Sequence, residues 1–131
     1  MTPADPLVLA ALAARDRAFA PYSGFKVGAA LEADDGTVVT GCNVESASYG
    51  LTICAERVAI VKGVSDGRTR FRRVAVVADT DALTPPCGAC RQLLWEFAGD
   101  AEVVLANPRG KTATFRLAEL LPHAFDGKQL Q

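Results

Sequence analysis

The sequence predicts an α/β protein with three layers (α/β/α), in which a five-stranded mixed sheet lies between helices on both faces. Three observations lead to this prediction. Two strand-like segments joined by Asp34-Asp35-Gly36 predict an antiparallel hairpin. The wholly apolar segment 74–78 predicts a central strand that is covered on both faces. A short connection near the C-terminus predicts that the last strand turns back on the strand before it.

The first part of the chain supplies a helix and the hairpin. Residues 2–6 are typical of a helix start, because a capping residue is followed by proline in the first turn. Apolar residues at helical spacing extend this helix to about Phe19, and the breaker segment 21–24 follows. The strands of the hairpin are predicted at residues 26–33 and 37–43.

The middle of the chain supplies a loop at residues 44–53 and a helix from Cys54 to about Val64. Apolar residues cover more than one stripe of this helix, so we expect the sheet to cover one side and another subunit to cover the other. A second helix is predicted from near Cys87 to about Phe97. The residues predicted to face inward on it are Ala89, Leu93, Leu94 and Phe97.

The last part of the chain completes the sheet. Residues 103–106 predict a further buried strand, and residues 107–110 predict a tight turn. Only an antiparallel partner can follow so short a connection, so residues 111–116 are predicted to form an edge strand. A short helix is expected at residues 117–121.

The composition indicates one soluble domain over residues 1–131, with half of the residues apolar and 22% charged. The net charge is −1 and no basic stripe is visible, so we expect no nucleic-acid partner. The apolar run 7–14 is too short to span a bilayer and follows no positive segment, so neither a membrane anchor nor a signal peptide is expected. A cytoplasmic location is predicted, where thiols stay reduced as zinc binding requires.

Three cysteines and one glutamate stand at the spacing that a catalytic zinc site requires. Cys87 and Cys90 are three residues apart, so both sulfurs can face one point at the start of a helix, and Cys54 supplies a third thiolate. Three protein ligands leave the fourth tetrahedral position for water, which is typical of catalytic zinc. Glu56 is close enough to take a proton from that water and pass it to the substrate. We therefore predict one zinc ion per chain.

Three thiolates would make this site anionic, and the sequence offers compensation. Cys54 and Cys87 stand at predicted helix N-termini, whose partial positive charge stabilises thiolates. Arg57 and Arg91 each directly follow a site residue, and we predict that they donate hydrogen bonds to sulfur.

Several motifs agree in order and spacing with one known family. The chain closely resembles the small cytidine deaminases that act on free nucleosides, from about Tyr22 to Phe125. The segments that carry the resemblance are Phe25-Lys26-Val27-Gly28-Ala29-Ala30, Asn43-Val44-Glu45, Ala47-Ser48-Tyr49-Gly50, Cys54-Ala55-Glu56-Arg57, Pro86-Cys87-Gly88-Ala89-Cys90-Arg91-Gln92 and Leu120-Leu121-Pro122. The resemblance implies a cytidine deaminase-like fold. It also implies zinc-dependent hydrolytic deamination of cytidine and deoxycytidine to uridine and deoxyuridine, a step of pyrimidine salvage.

The resemblance also implies roles for residues that bind the substrate. In this family the positions matching Asn43 and Glu45 hydrogen-bond the ribose hydroxyl, and the position matching Phe25 packs on the pyrimidine. The backbone amide matching Ala55 binds the ring carbonyl. The positions matching Tyr49 and Phe125 come from neighbouring subunits, so the resemblance implies a homotetramer with shared active sites.

Other functions stay open from the residues alone. Cys87 and Cys90 by themselves also fit a redox pair or half of a structural zinc knuckle. Cys42 as a fourth ligand would close the site and make the protein a zinc-stabilised structural or binding module, although we favour a buried free thiol. Another cytosine nucleoside, such as a nucleoside antibiotic, fits the same chemistry, but the intact Asn43-Val44-Glu45 favours an ordinary ribose. An editor of bases in nucleic acid is disfavoured because a basic surface is missing.

Overall fold

The computed structural model describes residues 5–130, except for the side chains of Lys128 and Gln129, and its elements follow the predicted order. The helices of this part of the chain are α1 (Pro6–Arg15), α2 (Ala55–Ser65), α3 (Gly88–Ala98) and α4 (Leu117–Leu120). The strands are β1 (Val27–Ala33), β2 (Val38–Cys42), β3 (Phe71–Ala78), β4 (Glu102–Ala106) and β5 (Thr112–Arg116). Short 3₁₀ turns lie at Tyr49–Leu51 and Gly127–Leu130.

The five strands form one mixed sheet, as predicted, and their order across it is β2-β1-β3-β4-β5. β1 pairs antiparallel with both β2 and β3, which confirms the hairpin. β3 and β4 are parallel because α3 carries the chain back across the sheet between them. β5 returns antiparallel along β4 and forms one edge. The apolar segment 74–78 lies in β3, which begins earlier than predicted, at Phe71, and is central with a partner on each side.

Helices cover both faces of this sheet and confirm the three layers. On one face, Leu7 and Ala11 of α1 pack against Ala30, Ala75 and Val77. On the other face, α2 and α3 enclose the larger core. The fully buried members of that core include Leu31, Ala59, Ile60, Val74, Leu94 and Val103. None of the helices in residues 5–130 is long and apolar enough to cross a bilayer.

Helix α1 begins at Pro6, after Asp5, whose side chain accepts a hydrogen bond from the Leu7 amide at 2.9 Å. Asp5 also forms an ion pair with Arg73 of β3, so the start of the helix is tied to the sheet. Both contacts lower the pKa of Asp5, with the Arg73 hydrogen bond having the largest effect. Residues 2–4 of the predicted helix start lie outside the described residues.

The end of α1 was predicted too late. The helix ends at Arg15 rather than near Phe19, because the Phe19 backbone pairs with the segment that follows β2. The Phe19 amide donates to the Asn43 carbonyl at 3.0 Å, and the Glu45 amide donates to the Phe19 carbonyl at 2.8 Å. A residue whose backbone is used in this strand-like pairing cannot also continue a helix.

The prediction that Ala89 faces inward was wrong, and a second prediction about a covered helix face is not tested. Ala89 is exposed, whereas Cys90 and Leu94, four residues apart on α3, face the core. On α2, one face packs on the sheet, but Val61 is 55% exposed. A covering subunit over that side of α2 therefore stays a prediction.

Helix α2 lies unusually close to the sheet at Gly41 of β2. A Cβ atom at this position would lie 2.5 Å from the Ala59 nitrogen and 2.6 Å from the Ala55 oxygen. Only glycine permits this approach of helix to strand. The first turn of α2 is thereby held against β2, beside the residues that form the candidate site.

Candidate zinc centre and active-site cavity

Two helix starts bring the three predicted cysteines together. Cys54 is the N-cap residue of α2, Cys87 is the N-cap residue of α3, and Cys90 lies in the first turn of α3. The three sulfurs all lie within 4.8 Å of one another. The Cys54 side chain makes no capping hydrogen bond to α2, and its sulfur faces the Cys87 sulfur instead.

The spacing of the sulfurs fits tetrahedral zinc. A Zn–S bond of about 2.3 Å places two sulfurs of a tetrahedral site roughly 3.8 Å apart. The distance between Cys54 Sγ and Cys87 Sγ is 3.9 Å. In the part of the chain that the structure describes, Cys42 does not belong to this cluster, and it is half-buried at the end of β2. The cluster therefore offers three ligands and no fourth cysteine.

The pKa values of the three thiols also indicate that a bound cation would stabilise the cluster. Burial raises the pKa of Cys90 strongly, and the charge of Glu56 raises it further. Burial likewise raises the pKa of Cys54, with the charge of Cys87 adding to the effect. At Cys87 burial acts in the same direction, but hydrogen bonds from Cys90 outweigh it and lower the pKa. Three thiolates would not coexist here unaided, whereas a divalent cation would stabilise all of them.

Glu56 is a buried carboxyl group beside this cluster. It lies in the first turn of α2, is only 4% exposed, and contacts Cys90. Burial raises the pKa of Glu56, while hydrogen bonds and the charge of Arg57 act against that rise. An ionisable group is costly to bury this deeply, and this kind of position is typical of catalytic acids and bases.

The two arginines do not bind the sulfurs as predicted. Arg57 donates from Nη2 to the Thr52 carbonyl at 3.1 Å, and Arg91 donates to the carbonyls of Pro86 and Leu120, each at 2.7 Å. Both guanidinium groups instead satisfy backbone oxygens that lie nearby, including one just before each N-cap cysteine. Their role in this structure is to hold the loops that lead into α2 and α3.

A cavity of about 270 Å³ opens beside Glu56 and contains most of the predicted substrate-binding positions. The predicted residues that line it are Phe25, Asn43, Glu45, Cys54, Ala55, Glu56 and Cys87. Thr52 and Thr84 also line it and were not singled out from the sequence, although both lie within three residues of a ligand. The structure thus gathers residues from four separate segments around one space large enough for a small molecule.

Asn43 and Glu45 are engaged with the backbone on one wall of this cavity. The Asn43 side chain accepts from the Val27 amide at 2.9 Å and donates to the Phe25 carbonyl at 2.8 Å. Glu45 Oε1 accepts from the amides of Tyr22 and Ser23 at 3.0 and 3.1 Å, and Oε2 accepts from the Ser23 hydroxyl. These bonds, the one from the Ser23 hydroxyl first, lower the pKa of Glu45.

The two aromatic residues assigned to neighbouring subunits lie outside their own chain's cavity. Tyr49 is 75% exposed, and its ring stands edge-on to that of Tyr22 at a centroid distance of 6.3 Å. Phe125 is 55% exposed and lies beside α3, where its carbonyl accepts a hydrogen bond from Gln92. A contribution of either ring to another subunit's cavity stays a prediction.

Comparison with known proteins agrees with this geometry. Residues 1–107 match the family described as the cytidine and deoxycytidylate deaminase zinc-binding region, so the chain belongs to that family. It is a hydrolase of the cytidine deaminase family, and its cofactor is zinc.

Individual relatives can be aligned with most of this chain. The cytidine deaminase of Sporosarcina psychrophila is 48% identical over 127 residues, which cover 96% of this chain and 93% of the relative. The crystal structure of cytidine deaminase from Burkholderia pseudomallei matches with a TM-score of 0.88 at 50% identity, covering 91% of this chain and 96% of that one. A blasticidin-S deaminase of Bacillus cereus is more distant, at 32% identity over 104 residues, covering 73% of this chain and 74% of the relative.

Proposed function

We propose that this protein hydrolyses cytidine and 2′-deoxycytidine to uridine and 2′-deoxyuridine with release of ammonia. The observation that carries the proposal is the buried carboxyl of Glu56 beside three clustered sulfurs, in the lining of a cavity of about 270 Å³. Overall, water adds to the ring carbon that carries the amino group, a C–O bond forms, and the C–N bond breaks.

Each residue of the site has a definite task in this proposal. Cys54, Cys87 and Cys90 hold the zinc ion, which when bound supplies a water of lowered pKa. Glu56 accepts a proton from the nucleophile and passes it to the ring nitrogen. It then accepts a second proton, from the newly formed C–OH group, and delivers it to the amino group, which leaves as ammonia. The backbone amide of Ala55 donates to the ring carbonyl.

The sugar and base are recognised by the other wall of the cavity. Asn43 and Glu45 bind one ribose hydroxyl, and Phe25 packs on the pyrimidine. A hydrogen bond to a charged group contributes about 1.5–3 kcal/mol, which a substrate without the hydroxyl would lose. Substrates that lack this hydroxyl should therefore be used poorly.

We further propose that the protein is a cytoplasmic homotetramer that serves pyrimidine salvage. Tyr49 and Phe125 would each enter the cavity of a neighbouring subunit. Their exposure in a single chain supports this assignment. Zinc-binding thiols support a reducing compartment, because oxidation would remove the ligands.

Ultraviolet-monitored turnover of a substrate panel tests the proposed function. Cytidine and 2′-deoxycytidine should both be deaminated, whereas free cytosine and 3′-deoxycytidine should be poor substrates. A 5′-phosphate should reduce turnover, because the phosphate would approach a site that already holds three thiolates and a carboxyl group. Preference for the monophosphate or for an oligonucleotide would contradict a free-nucleoside enzyme.

A second candidate is the deamination of a cytosine nucleoside antibiotic, which the similarity to a blasticidin-S deaminase keeps in consideration. Including blasticidin S in the same panel separates the two candidates. Turnover of the antibiotic with no turnover of cytidine would favour the second.

A further inference from the structure

Ser23 joins two residues of the cavity wall through a single hydroxyl group. It lies in the loop between α1 and β1, where its Oγ donates to Glu45 Oε2. The same oxygen accepts a hydrogen bond from the Phe25 amide at 3.0 Å. The hydroxyl therefore links the carboxylate assigned to the sugar with the residue assigned to the pyrimidine.

The loop occupies most of the hydrogen-bonding capacity of Glu45. An ionised carboxylate offers about four acceptor positions. Two on Oε1 are taken by the amides of Tyr22 and Ser23, and one on Oε2 is taken by the Ser23 hydroxyl. What remains for a ligand is one acceptor position on Oε2, and its direction depends on where the Ser23 hydroxyl holds that oxygen.

The backbone of Phe25 is held from both sides by side chains of the same wall. Its amide donates to Ser23 Oγ, and its carbonyl accepts from Asn43 Nδ2 at 2.8 Å. Asn43 and Glu45 are two residues apart after β2. The Phe25 carbonyl is therefore held directly by this short segment, through Asn43, and the Phe25 amide is held by it indirectly, through Ser23 and Glu45. Loss of the Ser23 hydroxyl would release one side of this arrangement and leave the other in place.

We propose that Ser23 is a positioning residue that sets the selectivity of the cavity for the sugar hydroxyl. It acts through Glu45 and Phe25 and does not touch the reacting atoms. This inference rests on the proposed function and adds to it the residue that orients the sugar-binding carboxylate. Charge-assisted hydrogen bonds of this kind are the stronger ones in proteins, so the restraint on Oε2 is substantial.

A purely structural role does not fit the position of Ser23. The residue is exposed and belongs to neither core cluster. Removing an exposed hydroxyl from a surface loop usually changes stability little. The effect should instead appear in substrate recognition, where Glu45 takes part.

The test compares three single variants of the zinc-loaded protein, namely Ser23→Ala, Ser23→Thr and Glu45→Ala. A double variant combines Ser23→Ala with Glu45→Ala. Ser65→Ala is the matched control, because Ser65 is an exposed serine at the far end of α2. For each variant, kcat and KM are measured with cytidine and with 3′-deoxycytidine, together with zinc content and the thermal midpoint.

Ser23→Ala should raise the KM for cytidine roughly tenfold while kcat, zinc content and the thermal midpoint change little. Its preference for cytidine over 3′-deoxycytidine should fall by a similar factor. Ser23→Thr retains the hydroxyl and should stay near wild type. In the Glu45→Ala background, Ser23→Ala should add at most about a twofold effect, because the group it acts through is gone.

Several results would overturn this role while leaving the proposed function intact. One is an unchanged KM for cytidine in Ser23→Ala, and another is an equal rise of KM in Ser23→Ala and Ser23→Thr. A third is a double variant in which the effects of Ser23→Ala and Glu45→Ala on KM multiply. The last is a fall of kcat in Ser23→Ala that accompanies a fall of the thermal midpoint. A wild-type protein that does not deaminate cytidine would instead overturn the proposed function, and the role of Ser23 with it.

Discussion

Glu56 shows how one residue's surroundings prepare it for proton transfer. Its carboxyl group is almost completely buried, and it contacts Cys90 in the sulfur cluster. Burial raises the pKa of Glu56 toward neutral pH. A carboxyl group with a raised pKa is a stronger base when ionised, and it holds a proton more readily for later transfer. The group that must accept and return a proton is thus shielded from bulk water.

Glu56→Gln should abolish most activity while leaving the fold and the zinc site intact. Glutamine has nearly the same shape but cannot accept the proton, and loss of a general acid/base typically costs about 10²–10⁴ in rate. Steady-state kcat, metal analysis and thermal unfolding measure these three properties. Glu96→Gln, at an exposed position on α3, serves as the control and should behave as wild type. Near-normal turnover by Glu56→Gln would remove the proposed mechanism.

At the scale of elements, the site depends on how two helices are seated on the sheet. The first turn of α2 carries Glu56 directly after Cys54, and the first turn of α3 carries Cys90 after Cys87. Gly41 lets α2 lie against β2 at close range. A small displacement of α2 would therefore move one zinc ligand and the catalytic carboxyl group together.

Gly41→Ala should reduce both stability and zinc binding. The new methyl carbon would overlap backbone atoms of Ala55 and Ala59, which cannot move aside without shifting the helix. Overpacking of this kind costs roughly 1–3 kcal/mol or more. Thermal unfolding and zinc content of the purified protein measure the effect. Gly127→Ala, where no atom lies within 4 Å of the added carbon, is the control. A normal zinc content in Gly41→Ala would show that the seating of α2 is not critical.

At the scale of the whole molecule, a large apolar surface lies next to the cavity. The residues of this surface are Phe19, Tyr22, Val44, Tyr49, Leu51 and Ile53, all of them exposed. Backbone pairing joins Val44 to Phe19 and to Ile53, and the Tyr22 and Tyr49 rings are in contact. Contiguous apolar patches of this kind are typical of protein interfaces. This supports the proposal that neighbouring subunits complete the active site.

Subunit exchange can test whether Phe125 acts in a neighbouring cavity. Phe125→Ala should weaken substrate use roughly ten- to a hundredfold, because stacking of a base on an aromatic ring is worth about 1–3 kcal/mol. Mixing Phe125→Ala chains with Glu56→Gln chains should regenerate some complete cavities, so the activity of the mixture should exceed the average of the two parents. A mixture no more active than its parents after proven exchange, or a fully active monomer by light scattering, would rule out the shared site.

The sequence by itself determined most of the architecture and the composition of the zinc centre. Strand and helix types follow from apolar spacing and turn residues within short windows, so the hairpin, the central strand and the antiparallel return of the last strand were predicted correctly. Cys54, Cys87 and Cys90 were predictable because helix starts and ligand spacing are local features, and the structure brings them together as expected.

Only the tertiary structure decided which polar groups satisfy one another over long separations in the chain. Phe19 leaves α1 because its backbone pairs with residues 43–45, and Arg91 bonds to the carbonyl of Leu120 rather than to a sulfur. The bond between Ser23 and Glu45 likewise joins residues 22 positions apart. No local pattern encodes such partners. A buried polar group left without a partner is costly, and which partner it finds depends on the donors and acceptors that the folded chain brings within reach.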